Sequence, residues 1–173
     1  AARPRAEGNE TMLPFRKMNG LGNDFAIVDA RRAAFAPEPA RIAALAARET
    51  GIGFDQLIVV EPPRGKGDAF MRIHNADGGE VEACGNATRC LADVLMDEGG
   101  RDRAGIETLA GLLSARRTGR GVIAVDMGTP RLSWSEIPLS PPAGDPAAVR
   151  VPAADRFALP PGVAVNVGNP HLV

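Results

Sequence analysis

Apolar and polar positions along the chain lay out short strands around two helices. The run Asp-Phe-Ala-Ile-Val-Asp at 24–29 follows the glycine-rich Asn-Gly-Leu-Gly-Asn at 19–23 and predicts a strand entered through a tight turn. At 39–49, abundant alanine, a proline suited to the first helical turn and Gly51 just past the end predict a helix. An apolar strand is expected at 57–60, stopped by Pro62 and Pro63. The segment 69–74 alternates, with Met71 and Ile73 on one face and Phe70, Arg72 and His74 on the other, as in a half-buried strand. A turn, Asn-Ala-Asp-Gly-Gly-Glu, precedes Val81.

The most informative element follows Cys84. Ala87, Cys90, Leu91, Val94 and Leu95 recur at helical spacing, and Gly99 and Gly100 stop the run, so a core helix is expected from Asn86 to about Met96. Beyond Ile-Glu-Thr-Leu-Ala-Gly at 106–111, the segments 112–115 and 122–127 predict a hairpin across Arg-Thr-Gly-Arg-Gly. From Pro130 the chain becomes proline-rich, like a boundary or long connection. A last strand is expected at 163–167, with no closing partner before Val173. Residues 1–12 are polar and aperiodic and read as a disordered extension or a cloning remnant, with Met12 a candidate natural start.

Composition narrows the classes. The 173 residues suffice for one substantial core or two small ones. With 20 basic and 21 acidic residues the net charge is −1, so no strong field draws nucleic acid or an anionic membrane. No apolar run reaches the ~18–20 residues of a membrane span. A cytoplasmic, reducing environment is the default expectation, and it keeps thiols free.

Both cysteines, Cys84 and Cys90, lie in Glu-Ala-Cys-Gly-Asn-Ala-Thr-Arg-Cys. Six helical residues separate them by roughly 9 Å, beyond the ~7 Å Cα limit for a disulfide. Two cysteines and two sequence-distant histidines, His74 and His171, also fall short of a metal cluster. Cys84 sits where a helix begins, and free N–H groups and the helix dipole there favour an anion, whether a thiolate base or nucleophile or a carboxylate docked at Gly85 and Asn86. A small buried cysteine at a helix cap is the equally open alternative. Cys90, on the apolar stripe, is expected to pack. Gly-Leu-Gly-Asn-Asp at 20–24, Gly-Phe-Asp-Gln at 53–56, Asn-Ala-Asp-Gly at 75–78 and Gly-Asn-Pro-His at 168–171 each admit a simple turn or cap reading.

Together, in this order, Lys-Met-Asn-Gly-Leu-Gly-Asn-Asp-Phe, Gly-Phe-Asp-Gln-Leu, the block from Asn75 to Cys90, Ala-Val-Asp-Met-Gly-Thr-Pro and Val-Asn-Val-Gly-Asn-Pro-His resemble the N-terminal half of diaminopimelate epimerases. The resemblance runs from Phe15 to the last residue. It implies an α/β (α+β) fold of two pseudo-symmetric domains, each a curled mixed sheet around a central helix. The first domain would span 13–128, and 129–173 would open a second, truncated one. It also implies interconversion of LL- and meso-2,6-diaminopimelate by two cysteines on opposite faces of Cα, in the synthesis of lysine and peptidoglycan precursors. No cofactor or metal is implied, and the full-length protein would be a homodimer. Cys84 matches one cysteine, and His171 the histidine that helps ionise it. Asn23, Gln56, Asn75 and Asn169 match substrate-binding amides, and Gly85 and Asn86 the receivers of the reacting carboxylate. The second cysteine motif and the Glu-Arg segment before it have no counterpart here, so the resemblance implies a fragment that would not epimerise alone. The alternatives are a proline racemase or hydroxyproline epimerase-like isomerase, a non-catalytic carboxylate-binding fragment, and a thiol hydrolase using Cys84 and His171.

Overall fold

Strands that are apolar on both faces organise the molecule. The structure, a computed structural model, describes residues 13–137, 144–152 and 157–173, so the expectation for 1–12 lies outside the described residues. Strands β1 (Phe15–Gly20), β2 (Asn23–Asp29), β3 (Gln56–Glu61), β4 (Ala69–Asn75) and β5 (Glu80–Val81) come first, with helix α1 (Pro39–Ala46) between β2 and β3. Helix α2 (Gly85–Gly99) follows, then β6 (Arg103–Thr108), β7 (Gly111–Gly119) and β8 (Val122–Asp126). These strands form one sheet in the order β1-β2-β3-β4-β6-β7-β8, with β5 on β4. The pairs β2–β3 and β4–β6 are parallel, each bridged by a helix, and the others are antiparallel. A second, two-stranded sheet pairs β9 (Ala164–Asn166) with β10 (Pro170–Leu172).

Alternation explains the continuous apolar runs. Phe25, Ile27, Ile58 and Val60 join the core around α2, with Met71, Ile73, Leu91, Leu95 and Ile106. Ala26, Val28, Leu57 and Val59 point the other way, onto Ile42, Ala46 and Phe54 around α1. Helix α2 touches β1, β2, β6, β7 and β8, so the sheet curls around it as the resemblance implied. Gly100 adopts the left-handed conformation at φ +59° and closes the helix, its N–H donating to the Asp97 carbonyl while the Arg101 N–H donates to that of Met96. Val94, expected on the stripe, lies half-buried at its edge.

Three local expectations change. Helix α1 ends at Ala46 rather than 49, because Ile52, Gly53 and Phe54 turn back to donate to the carbonyls of Leu45 and Ala46. Phe70 is buried although it lies on the polar face of β4, because the Arg64 guanidinium covers its ring at 3.5 Å. The last strand does have a partner: β10 pairs with β9, with His171 opposite Val165. Strands β1, β5, β6 and β10 carry no local pattern that predicts them. β1 is an edge strand with mostly exposed side chains, so it lacks an apolar signal.

Candidate active site

The register of the sheet gathers the amides. Asn23 begins β2 after a two-residue turn in which Leu21 (φ +53°) and Gly22 (φ +92°) both have positive φ, as tight hairpins require. Gln56 begins β3 opposite Phe25, and Asn75 ends β4 directly opposite Gln56. The three therefore stand side by side at one end of the sheet. Gln56 Nε2 donates to Asn75 Oδ1 at 2.9 Å. Behind them, Arg48 bridges the Asp24 and Asp55 carboxylates at 2.8 Å each, and Asp55 Oδ2 accepts the Asp24 N–H at 2.8 Å. Arg48, and next Asn19, hold the Asp24 carboxyl below the usual carboxylate range.

Helix α2 enters the same space. Cys84 is its N-cap, extended at φ −148°, ψ 111°, and its side chain makes no capping bond. The first intrahelical bond runs from Thr88 N to Cys84 O at 2.9 Å, so the preceding turn has N–H groups without intrahelical acceptors. Asn86 Nδ2 donates to Asn23 Oδ1 at 2.9 Å, joining the helix start to the amide row. Cys84 is half-buried and Cys90 buried; neither is in a disulfide. Burial, with Asp93 and Cys84 nearby, pushes the Cys90 thiol up to about 11. Gly20 leaves room for this arrangement, since a side chain there would meet Cys90 Sγ at 3.0 Å and Asn86 O at 3.1 Å.

The β9–β10 hairpin closes the site. Gly168, at φ +92°, sits where an added Cβ would lie 3.0 Å from Ala83 Cβ and 3.1 Å from Ala110 Cβ. Asn166 Oδ1 accepts the Gly168 N–H at 2.8 Å, and Asn166 Nδ2 donates to Glu136 O at 2.7 Å. This close seat places Asn169 and His171 on the wall of a cavity of about 520 Å³. Asn23, Gln56, Asn75, Cys84, Gly85 and Asn86 line it as well, so all eight residues singled out from the sequence share one cavity. Its polar lining is mostly neutral amide, suited to a zwitterionic ligand.

A sequence profile of the diaminopimelate epimerase family matches residues 15–133. A diaminopimelate epimerase from Phenylobacterium zucineum is 54% identical over 162 residues, covering 92% of this chain and 57% of its own. Another from Zymomonas mobilis is 52% identical over 159 residues, covering 92% and 55%. This chain belongs to the diaminopimelate epimerase family.

It spans about half the length of the curated relatives it matches. Among solved structures, a predicted epimerase from Pseudomonas aeruginosa superposes with a TM-score of 0.59 at 21% identity, over 87% of this chain and 52% of that one. A PhzF-family phenazine biosynthesis protein from Bacillus anthracis gives 0.56 at 21% identity, over 92% and 53%. These likenesses are of fold. Within the cavity of this epimerase-family chain, Asp55, Ala83, Met127 and Val167 also contribute to the lining. Asp55 and Met127 lie in segments that carried the resemblance, but nothing local marked them out. Met127 Sδ comes within 3.4 Å of the point where a Cβ on Gly85 would sit, so it walls the helix start. Among the described residues no helix is long and apolar enough to cross a membrane, and no group of three or more His, Cys, Asp or Glu could hold a metal.

Proposed function

We propose that the chain supplies one face of a cofactor-independent epimerase acting on 2,6-diaminopimelate, with Cys84 as the base and acid of that face. The observation that carries this reading is the convergence of Cys84, Gly85 and Asn86 at a helix start with five further predicted polar side chains on one cavity. In this mechanism the substrate α-carboxylate docks at the N–H groups of Gly85 and Asn86, where the helix dipole favours negative charge. The Cys84 thiolate takes the α-proton. The electron pair left on Cα delocalises into the bound carboxylate, which the same N–H groups stabilise. A second thiol on the opposite face donates its proton to Cα, inverting the centre, and is left as thiolate while Cys84 is left protonated. The reverse reaction exchanges those roles. His171 assists ionisation of Cys84, and Asn23, Gln56, Asn75 and Asn169 orient the rest of the amino acid.

Cys90 does not suit the second role, being buried on the stripe of the same helix with its thiol pushed up to about 11. The partner thiol therefore belongs to the half of the relatives that this chain does not match. On this reading residues 13–128 form the first domain and 129–173 begin the second. The test is Cα deuterium uptake from LL-diaminopimelate in deuterated water by the full-length protein, read by mass spectrometry. Cys84→Ala is expected to lower uptake by at least about 10²-fold, the scale of a lost general base. Uptake unchanged in Cys84→Ala, or a preference for proline over diaminopimelate, would overturn the proposal.

A further inference from the structure

Arg89 lies one helical turn beyond Asn86 and outside the cavity lining. Its Nη1 donates to Asn86 Oδ1 at 2.9 Å. A guanidinium has donors and no acceptor, so this bond can form only with the Asn86 oxygen facing Arg89. Asn86 Nδ2 is then turned to Asn23, whose Oδ1 accepts it at 2.9 Å. That leaves Asn23 with its Nδ2 donor for the cavity. The same two amides without Arg89 could flip together, presenting the Asn23 oxygen instead. The guanidinium thus removes an ambiguity that neither asparagine can remove for itself. It also lies beside the helix start, 3.8 Å from the place a Cβ on Gly85 would occupy.

We propose that Arg89 is a positioning residue that sets the polarity of the Arg89–Asn86–Asn23 relay, so that Asn23 offers a donor and the cavity selects an anionic acceptor, a carboxylate, there. This inference rests on the amino-acid-binding reading of the cavity, and it extends the list of residues on which that binding depends. Lysine at position 89 keeps the donor polarity, methionine removes it, and glutamate reverses it by accepting from Asn86 Nδ2.

The test compares Arg89→Lys, Arg89→Met and Arg89→Glu with the parent protein by two readouts. The first is LL-diaminopimelate affinity by calorimetry. Affinity is expected to stay within about threefold for lysine, fall about tenfold for methionine and fall about a hundredfold for glutamate, the range of a lost or reversed bond to a charged group. The second is solvent exchange of the Asn86 side-chain amide protons by NMR, without ligand. Exchange is expected to be slow in the parent and Arg89→Lys and fast in Arg89→Met. Thermal midpoints within a few degrees of the parent for Lys and Met separate positioning from a general loss of fold. Equal affinity in all four proteins, equal loss in Lys and Met, or unchanged Asn86 exchange in Arg89→Met would overturn the proposal. Failure of the parent to bind diaminopimelate would count against the proposed function, while the ligand-free exchange still decides the role of Arg89.

Discussion

Cys84 and Cys90 share a helix, yet their surroundings separate them. Cys84 is at the cap, half-buried and open to the cavity, whereas Cys90 is 5% exposed against Leu91 and Phe25 in the core. Alkylation of the folded protein by iodoacetamide at pH 8 should therefore modify Cys84 and spare Cys90 until the chain is unfolded. Trypsin cleaves after Arg89 and puts the two thiols in different peptides, so mass spectrometry reads them independently. Equal labelling in the folded state would show that the helix does not pack as described. The helical stripe already set Cys90 apart from Cys84 in the sequence. The relay from Arg89 was not legible, because it depends on Asn23, 63 positions away from Asn86.

At the scale of elements, loops are held by side chains from distant strands. The Glu107 carboxylate of β6 accepts N–H bonds from Arg64 at 2.6 Å, Gly65 at 2.9 Å and Gly67 at 2.7 Å, fastening the β3–β4 connection. A Cβ on Gly67 would come within 2.6 Å of Glu107 Cγ, so a glycine is needed for that approach. The Gly67, Arg64 and Gly65 N–H groups hold the Glu107 carboxyl below its ordinary value of 4.5. A lowered folded-state value means that this stabilisation is present above about pH 4.5 and is lost as pH falls through the folded value. Urea unfolding of Glu107→Gln should show its largest deficit against the parent near neutral pH, shrinking below about pH 4.5. A deficit independent of pH would remove the charged form of Glu107 from the account. None of this could be read from Ile-Glu-Thr-Leu-Ala-Gly, where Glu107 looks like a surface residue.

For the whole molecule, the decisive contact is the seat of the β9–β10 hairpin. Gly168 combines a positive φ with a close approach, in which an added methyl group would crowd both Ala83 and Ala110 by a few tenths of an ångström. Gly168→Ala should cost about 1 kcal/mol in backbone strain, plus displacement of the hairpin. Its expected signature is weaker diaminopimelate binding, by about tenfold or more, with the main sheet's thermal transition little changed. Unaltered affinity would show that Asn169 and His171 do not depend on this seat. Proline and glycine punctuation made the turn visible, but not the surface on which it lands.

What the sequence determined by itself was local: the apolar runs of β2 and β3, the alternation of β4, the stripe and stop of α2, and the motifs of the family. These follow from short-range periodicity, capping and turn chemistry, which neighbouring residues carry in full. Tertiary structure alone decided that β1 and β6 are strands, that β10 completes β9, and that Phe70 is buried beneath Arg64. It also decided that Asn23, Gln56 and Asn75 stand in a row beside Cys84. Those features arise from register and packing between segments tens of residues apart, where the free energy belongs to pairs of positions and no single stretch records it.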